Sequence, residues 1–164
     1  AVGYSLDLTN EEIKAGIENL PSIPGRNHII ITDKLTILDD CYNANPISTK
    51  ASIDVLDMAI GRKVAVLGNM GELGANEKEL HYNTGAHASQ DKIDIICCIG
   101  KLSKNTYDGA KAYAEGNSIL YFETKQEFLS KLPNVIKKGD TILVKASHSM
   151  EFPEIVETLQ QLKL

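Results

Sequence analysis

Apolar, largely β-branched runs recur along the chain at HIIIT (28–32), LTILDD (35–40), KVAVLG (63–68), IDIICCIG (93–100), SILYFE (118–123) and TILVKA (141–146). After the second run they are separated by segments with helical spacing, and that alternation predicts a parallel sheet covered on both faces. Only Asp33 and Lys34 divide the first two runs, a hairpin-length interval, so an antiparallel edge is expected before the strand–helix repeats begin. The expected fold is α/β: a Rossmann-like, doubly wound, mostly parallel sheet of about six strands with an antiparallel edge strand.

The segments between the runs carry helix signals. Thr9 with Glu12 forms a capping box ahead of Ile13, Ile17 and Leu20, which share one face of a helix over 9–20. Pro21, Pro24 and Gly25 then predict a linker at 21–26. Residues 1–24 read as the tail helix of a preceding domain, and residues 25–164 as the domain proper. Asn45 as N-cap and Pro46 at the first helical position open the next helix, with Ala51, Val55, Met58 and Ala59 on one face and Gly61 as its stop. Further helices are expected over 76–90, with Leu80, Thr84, His87 and Ala88 on one stripe, and over 103–115, with Ser103 as cap. Gly85 costs a helix about 1 kcal/mol against Ala unless close packing needs it. Thr124 with Glu127 opens another helix, with Phe128, Leu129 and Leu132 inward, and the last buries Phe152, Ile155, Val156, Leu159 and Leu162.

Composition narrows the class. The 164 residues are 43% hydrophobic and 24% charged, with a net charge of −5. Disorder and low complexity are excluded by that balance, and a nucleic-acid binder would show a basic stripe. No run approaches the roughly 18 apolar residues of a spanning helix and no export signal opens the chain, so a soluble, cytoplasmic protein without membrane insertion is expected. Ala1, with no initiator Met, suggests a piece excised from a longer protein. The three cysteines offer no disulfide framework; Cys97 and Cys98 are neighbours in a strand, point to opposite faces, and read as buried hydrophobes in a reducing compartment.

In open α/β sheets ligands gather beyond the carboxyl ends of the strands. The segment Asp39–Pro46 crowds two carboxylates and the amides of Asn43 and Asn45 at a strand end and the following helix N-terminus. A carboxylate there can accept from ribose hydroxyls and the helix terminus favours an anion, although a turn Asp and a capping Asn would look the same. Asn69-Met70-Gly71-Glu72-Leu73-Gly74 follows another strand and resembles a phosphate-cradling turn, but matches neither the dinucleotide fingerprint nor the P-loop string. Gly100-Lys101 reads as an ordinary strand-to-helix turn. Lys145-Ala146-Ser147-His148-Ser149 sets an ammonium, hydroxyls and an imidazole after the last strand, a group that could grip a carboxylate or be a solvated loop. His81 and His87 lack metal-pair spacing, His28 stands alone, and no nucleophile stands beside an evident base.

Taken together, PGR at 24–26, DDCYNANPISTKASIDVL at 39–56, GRKVAVLGNMGELG at 61–74, Leu80-His81 and GDTILVKASHSME at 139–151 resemble the C-terminal domain of the Mur ligases, most closely the MurF type. The resemblance implies an ATP-dependent amide-forming ligase of peptidoglycan precursor synthesis, acting on UDP-N-acetylmuramoyl-tripeptide and D-alanyl-D-alanine through an acyl phosphate. It implies that ATP and Mg2+ are held mainly by a central domain outside this sequence, that this domain works against its own central and N-terminal domains, and that alone it is inactive. It also implies nucleotide contacts from Arg26, Asp40, Tyr42, Asn43 and Asn45, and substrate-facing positions at Asn69, Gly71, Glu72, Lys145, Ser147 and His148, with no catalytic or metal-binding residue here. The family usually has Asp at the position of Asn69, and Gly-Ser-Arg at Ala146-Ser147-His148, so a negative charge and a permanent cation are absent. The alternatives are another Mur or folylpolyglutamate-synthase-like ligase, a non-catalytic nucleotide-binding α/β module, and an interaction domain without a ligand.

Overall fold

The computed structural model describes residues 2–21, 23–90 and 92–164. Ala1, with the reading of a truncated start, and Ser22, within the expected linker, lie outside the described residues. Strands β1 (His28–Ile31), β2 (Thr36–Asp39), β3 (Lys63–Gly68), β4 (Ile95–Ile99), β5 (Ser118–Phe122) and β6 (Thr141–Lys145) form one sheet in the order β1-β2-β6-β3-β4-β5. β1 pairs antiparallel with β2 through the turn closed by Thr32 N to Leu35 O at 2.9 Å, and all other pairings are parallel. The expected doubly wound sheet with its antiparallel edge is what forms. β6 inserts between β2 and β3, so the chain ends of these three strands lie side by side.

Helices α1 (Val2–Ser5), α2 (Asn10–Glu18), α3 (Pro46–Asp57), α4 (Glu77–Gln90), α5 (Ser103–Ala112), α6 (Lys125–Val135) and α7 (Pro153–Gln161) follow in chain order. One core lies on the α6 and α7 side, with Ile37, Val64, Cys97, Phe128 and Ile155; the other lies on the α3 to α5 side, with Leu38, Ile53, Leu67, Cys98 and Ala110. Cys97 and Cys98 fall in opposite cores, as strand alternation requires. Burial raises the Cys97 thiol to about 12.

Several local expectations are corrected. The inward face of α3 is Thr49, Ser52, Ile53 and Leu56, whereas Val55 and Met58 are exposed. The two hydroxyls face inward because each has a buried partner: Ser52 donates to Asp40 and Thr49 to the Met70 sulfur. α3 also ends at Asp57, short of Gly61, whose φ of +90° serves the turn into β3. α5 is not capped by Ser103; the Asn69 side chain supplies the cap from the loop after β3. At α6 the box is half made: Thr124 accepts from Glu127 N, while the Glu127 carboxylate takes Glu123 N instead of Thr124 N. The close packing that Gly85 needed is present, since a Cβ there would stand 1.9 Å from Thr106 O, and one at Gly109 2.0 Å from Tyr82 O. The α4–α5 contact therefore brings two backbones together through glycine.

α2 has its capping box, with Thr9 N donating to Glu12 at 2.9 Å, yet neither α1 nor α2 buries any residue. Ile17 and Leu20 are among the exposed large hydrophobics. The apolar stripe of this appendage is thus not covered by the sheet domain. No described helix is long and apolar enough to cross a membrane.

Candidate functional site

Because β2, β6 and β3 are neighbours and parallel, the three loops that follow them converge at one end of the sheet. The loop after β2 is built by its two carboxylates. Asp39 Oδ2 accepts from Gly25 N at 2.8 Å, and its Oδ1 accepts from the Cys41 thiol at 2.9 Å. That carboxylate, after burial itself, pushes the Cys41 thiol far above its ordinary range and keeps it protonated. Asp40 is buried and takes Ser52 Oγ at 2.7 Å, Asn27 N at 3.1 Å and the Lys145 ammonium. Lys145, at the end of β6, is itself only 2% exposed and also donates to Asn43 O at 3.1 Å. The pair is largely buried, and Lys145 bonds the Asp40 carboxylate where both residues line the first cleft.

Downstream, Asn45 caps α3 in a full box: its side chain accepts from Ser48 N at 2.9 Å, and Ser48 Oγ accepts from Asn45 N at 3.2 Å. The ring of Tyr42 is half exposed and carries the Arg26 guanidinium 4.1 Å above its centroid, while His148 packs beside it at 5.8 Å. The stack of cation, phenol and imidazole spans two adjoining clefts. The first, of about 380 Å3, is lined by Arg26, Asp40, Tyr42, Asn43, Asn45 and Ser52 among others. The second, of about 570 Å3, is lined by Tyr42, Asn43, Asn45, Gly71, Glu72, Ser147, His148 and neighbours. Tyr42, Asn43 and Asn45 form the wall they share.

The glycine-rich loop after β3 is pinned on several sides. Gly71 N donates to Ser147 Oγ at 2.6 Å, and Ser147 N donates to Asn69 O at 2.9 Å. Met70 N donates to His81 Nε2 at 2.9 Å, and the other ring nitrogen lies 2.7 Å from Glu77 O. Since a carbonyl can only accept, His81 carries its proton on Nδ1 and is neutral; burial lowers its pKa. The spacing of His81 to His87 speaks only to metal pairing and does not show this role. The Leu80-His81 pair in the family pattern was the signal that could have kept it in view. Asn69 points away from both clefts, its Oδ1 accepting from Ser103 N at 2.9 Å and Ser103 Oγ at 3.1 Å. Gly100 leaves room for that side chain, since a Cβ there would meet Asn69 Oδ1 at 2.6 Å. Glu72 adopts φ +59° and Asn27 φ +49°, left-handed conformations that cost a non-glycine residue energy and stand beside the two clefts.

A further depression of about 780 Å3 lies at the opposite end, between the start of β4 and the turn before β5, lined by Lys92, Asp94, Glu115 and Asn117 among others. Two of its acceptors are used by the fold: Asp94 takes Lys63 N at 2.8 Å and Asn117 takes Glu115 N at 3.1 Å. Among the described residues no three His, Cys, Asp or Glu side chains gather to hold a metal ion.

Comparison with known proteins identifies the family. Residues 11–148 match the family described as Mur ligase, glutamate ligase domain. The chain is 36% identical over 162 residues to the UDP-N-acetylmuramoyl-tripeptide–D-alanyl-D-alanine ligase of Bacillus subtilis, with 97% of this chain and 35% of that protein covered. It is 35% identical over 164 residues to the ligase of the same name from Escherichia coli, covering 98% of this chain and 35% of the relative. Among solved structures, MurF from Acinetobacter baumannii superposes with a TM-score of 0.87 at 28% identity, over 98% of this chain and 35% of that one. MurF from Thermotoga maritima in complex with ADP gives 0.79 at 26% identity, over 98% and 35%. The chain thus spans about a third of the length of the relatives it matches. On the family match, the fold and the convergence of the three loops, this chain belongs to the Mur ligases, as their glutamate ligase domain.

Proposed function

We propose that this domain serves an ATP-dependent, ADP-forming ligase that joins D-alanyl-D-alanine to UDP-N-acetylmuramoyl-tripeptide in peptidoglycan precursor synthesis, in the cytoplasm. The observation that carries this reading is the near-complete alignment of the chain with ligases of that name at 36% and 35% identity. In the proposed reaction the tripeptide's terminal carboxylate attacks the γ-phosphorus of ATP and ADP leaves. The dipeptide amine then adds to the acyl phosphate carbon, and the tetrahedral intermediate expels phosphate as the amide forms. A carboxylate is inert to amines until one oxygen becomes a leaving group, so positioning and charge neutralisation are what a protein can contribute.

Within this scheme the first cleft takes the nucleotide. Arg26 offers a permanent, fork-shaped cation to phosphate or ribose, and stacking on Tyr42 preorganises it. Asp40 takes one ribose hydroxyl and not two, because of the roughly four lone-pair positions of a carboxylate three already have donors. The second cleft, with Glu72, Ser147 and His148, faces the reacting carboxylate and the dipeptide. Closure of this face on the remaining domains, with α1 and α2 packing against them, excludes water from the acyl phosphate. In this reading ATP's phosphates and Mg2+ are held mainly by the central domain of the full-length ligase, and this domain acts only together with it. The test is phosphate release by a full-length protein carrying this domain, given ATP and UDP-linked tripeptide. Release that requires D-alanyl-D-alanine supports the reading, whereas release with a single amino acid assigns another ligase of the superfamily.

A further inference from the structure

Asp39 has no place in the proposed chemistry, yet it is 6% exposed and both its carboxylate oxygens have a donor. Asp39 and Asp40 are successive residues at the end of β2, so their side chains leave the strand on opposite sides. Asp39 lies on the side of Ile37 and Cys41, and Asp40 on the side of Leu38, where Ser52 and Lys145 meet it. The loop 24–27 crosses this strand end, and each carboxylate takes one of its backbone N–H groups: Gly25 N to Asp39 at 2.8 Å and Asn27 N to Asp40 at 3.1 Å. The two N–H groups flank Arg26. A third bond, Tyr42 N to Gly25 O at 2.9 Å, ties the loop to the residue whose ring carries the guanidinium.

The loop's conformation fits this grip. Gly25 has φ +77°, and a Cβ there would come within 3.2 Å of Tyr42 N and Cβ; Asn27 sits at φ +49°. Gly25 adopts its angle without steric cost, whereas the left-handed Asn27 is unfavourable for a free chain, and the bond from its N–H to the charged Asp40 acceptor offsets that. We infer that Asp39 is a positioning residue: by holding Gly25 N it fixes the junction loop to the end of β2, and so fixes the Arg26 guanidinium over Tyr42 at the mouth of the first cleft. Asp40, held in turn by Lys145 and Ser52, secures the other side of the loop. Arg26 is on this account a preset part of the sheet domain and does not become ordered only when ligand arrives. The functional value of that preset position rests on the nucleotide reading of the first cleft; the positioning itself does not.

The test uses this chain without nucleotide. Amide hydrogen exchange at Gly25 and the chemical shifts of the Arg26 δ-protons, displaced by the Tyr42 ring, are measured in the wild type and in Asp39→Ala, with Ile142 and Val66 amides reporting that the fold persists. The expected result is a protected Gly25 amide and ring-shifted Arg26 protons in the wild type, with protection falling about tenfold or more and the shift lost in the variant, as for the loss of one charge-assisted bond. An unprotected Gly25 amide in the wild type, or an unchanged Arg26 shift in a folded variant, overturns the inference. Should Asp39→Ala fail to fold, the two wild-type signals decide it, and absence of either overturns it. In a full-length ligase, Asp39→Ala and Arg26→Ala are expected to raise the KM for ATP to a similar degree, and the double variant no further; additive effects contradict the positioning role. An Arg26→Ala enzyme with unaltered KM would count against the nucleotide reading alone, since the exchange and shift data stand apart from it.

Discussion

At the start of β6 the Asp140 carboxylate takes both the Nε of Arg62, at 2.8 Å, and a terminal nitrogen, at 2.7 Å, along with Lys137 N at 2.7 Å; at its end Asp40 takes Lys145, Ser52 and Asn27 N. Both are ion pairs with a buried carboxylate, five residues of strand apart, but their surroundings differ. The Arg62 fork makes a further bond to Val135 O at 2.7 Å, so it ties the end of α6 to β6. The Asp40 pair opens onto a cleft and has an acceptor position to spare. Backbone conformation divides the same way. The positive-φ residues that precede strands at the lower end, Gly61, Gly116 and Gly139, are all glycine; at the upper end Asn27, Glu72 and Glu151 adopt such angles with side chains attached. One end is built for stability, and the other carries strain where ligands are expected.

Breaking each end in turn sharpens that contrast. The largest effect is expected from Asp140→Ala, which strands Arg62 and the Lys137 N–H; a loss of about 3 kcal/mol in urea unfolding is predicted, with ligand affinity per folded molecule unchanged. Lys145→Met should cost about 2 kcal/mol by leaving Asp40 buried and unpaired, and adding Asp40→Asn should recover much of it. Additive losses would mean that the upper pair is not a unit. Next is acid sensitivity. The folded pKa of His81 is lowered by burial, so the unfolded chain binds the proton first as pH falls. Its stabilisation is present above the unfolded value near 6.5 and is lost below it, by up to about 1.4 kcal/mol per pH unit. His81→Gln should flatten that slope between pH 7 and pH 5 in chemical unfolding. The smallest is Glu72→Gly, expected to stabilise the chain by about 1 kcal/mol by relieving a left-handed side chain, the opposite sign to any substitution at Asp140.

Much of this was legible in the sequence. The strand runs, the two-residue edge turn at Asp33-Lys34, the Asn45-Pro46 helix start and the α7 stripe each follow from local chemistry, which nearby residues suffice to express. What local pattern could not state is that β6 inserts between β2 and β3, so nothing in the chain order announces that Asp40 meets Lys145 or that Gly71 meets Ser147. The same blindness explains the misplaced face of α3: Ser52 and Thr49 look like solvent residues until Asp40 and Met70 are seen to need them. It also explains Asn69, which reads as a cleft residue after a strand but is spent capping a helix that begins more than thirty residues later in the chain.

The central claim, that the upper end of the sheet meets the nucleotide and the lower end only holds the fold, is tested most directly by the KM for ATP in a full-length ligase carrying this domain. Arg26→Ala is compared with Arg62→Ala, two arginines at opposite ends. A rise of about tenfold or more for Arg26→Ala, from the loss of one charged contact, with no change for Arg62→Ala is the predicted result. Equal effects of the two substitutions, or none from Arg26→Ala, would contradict it.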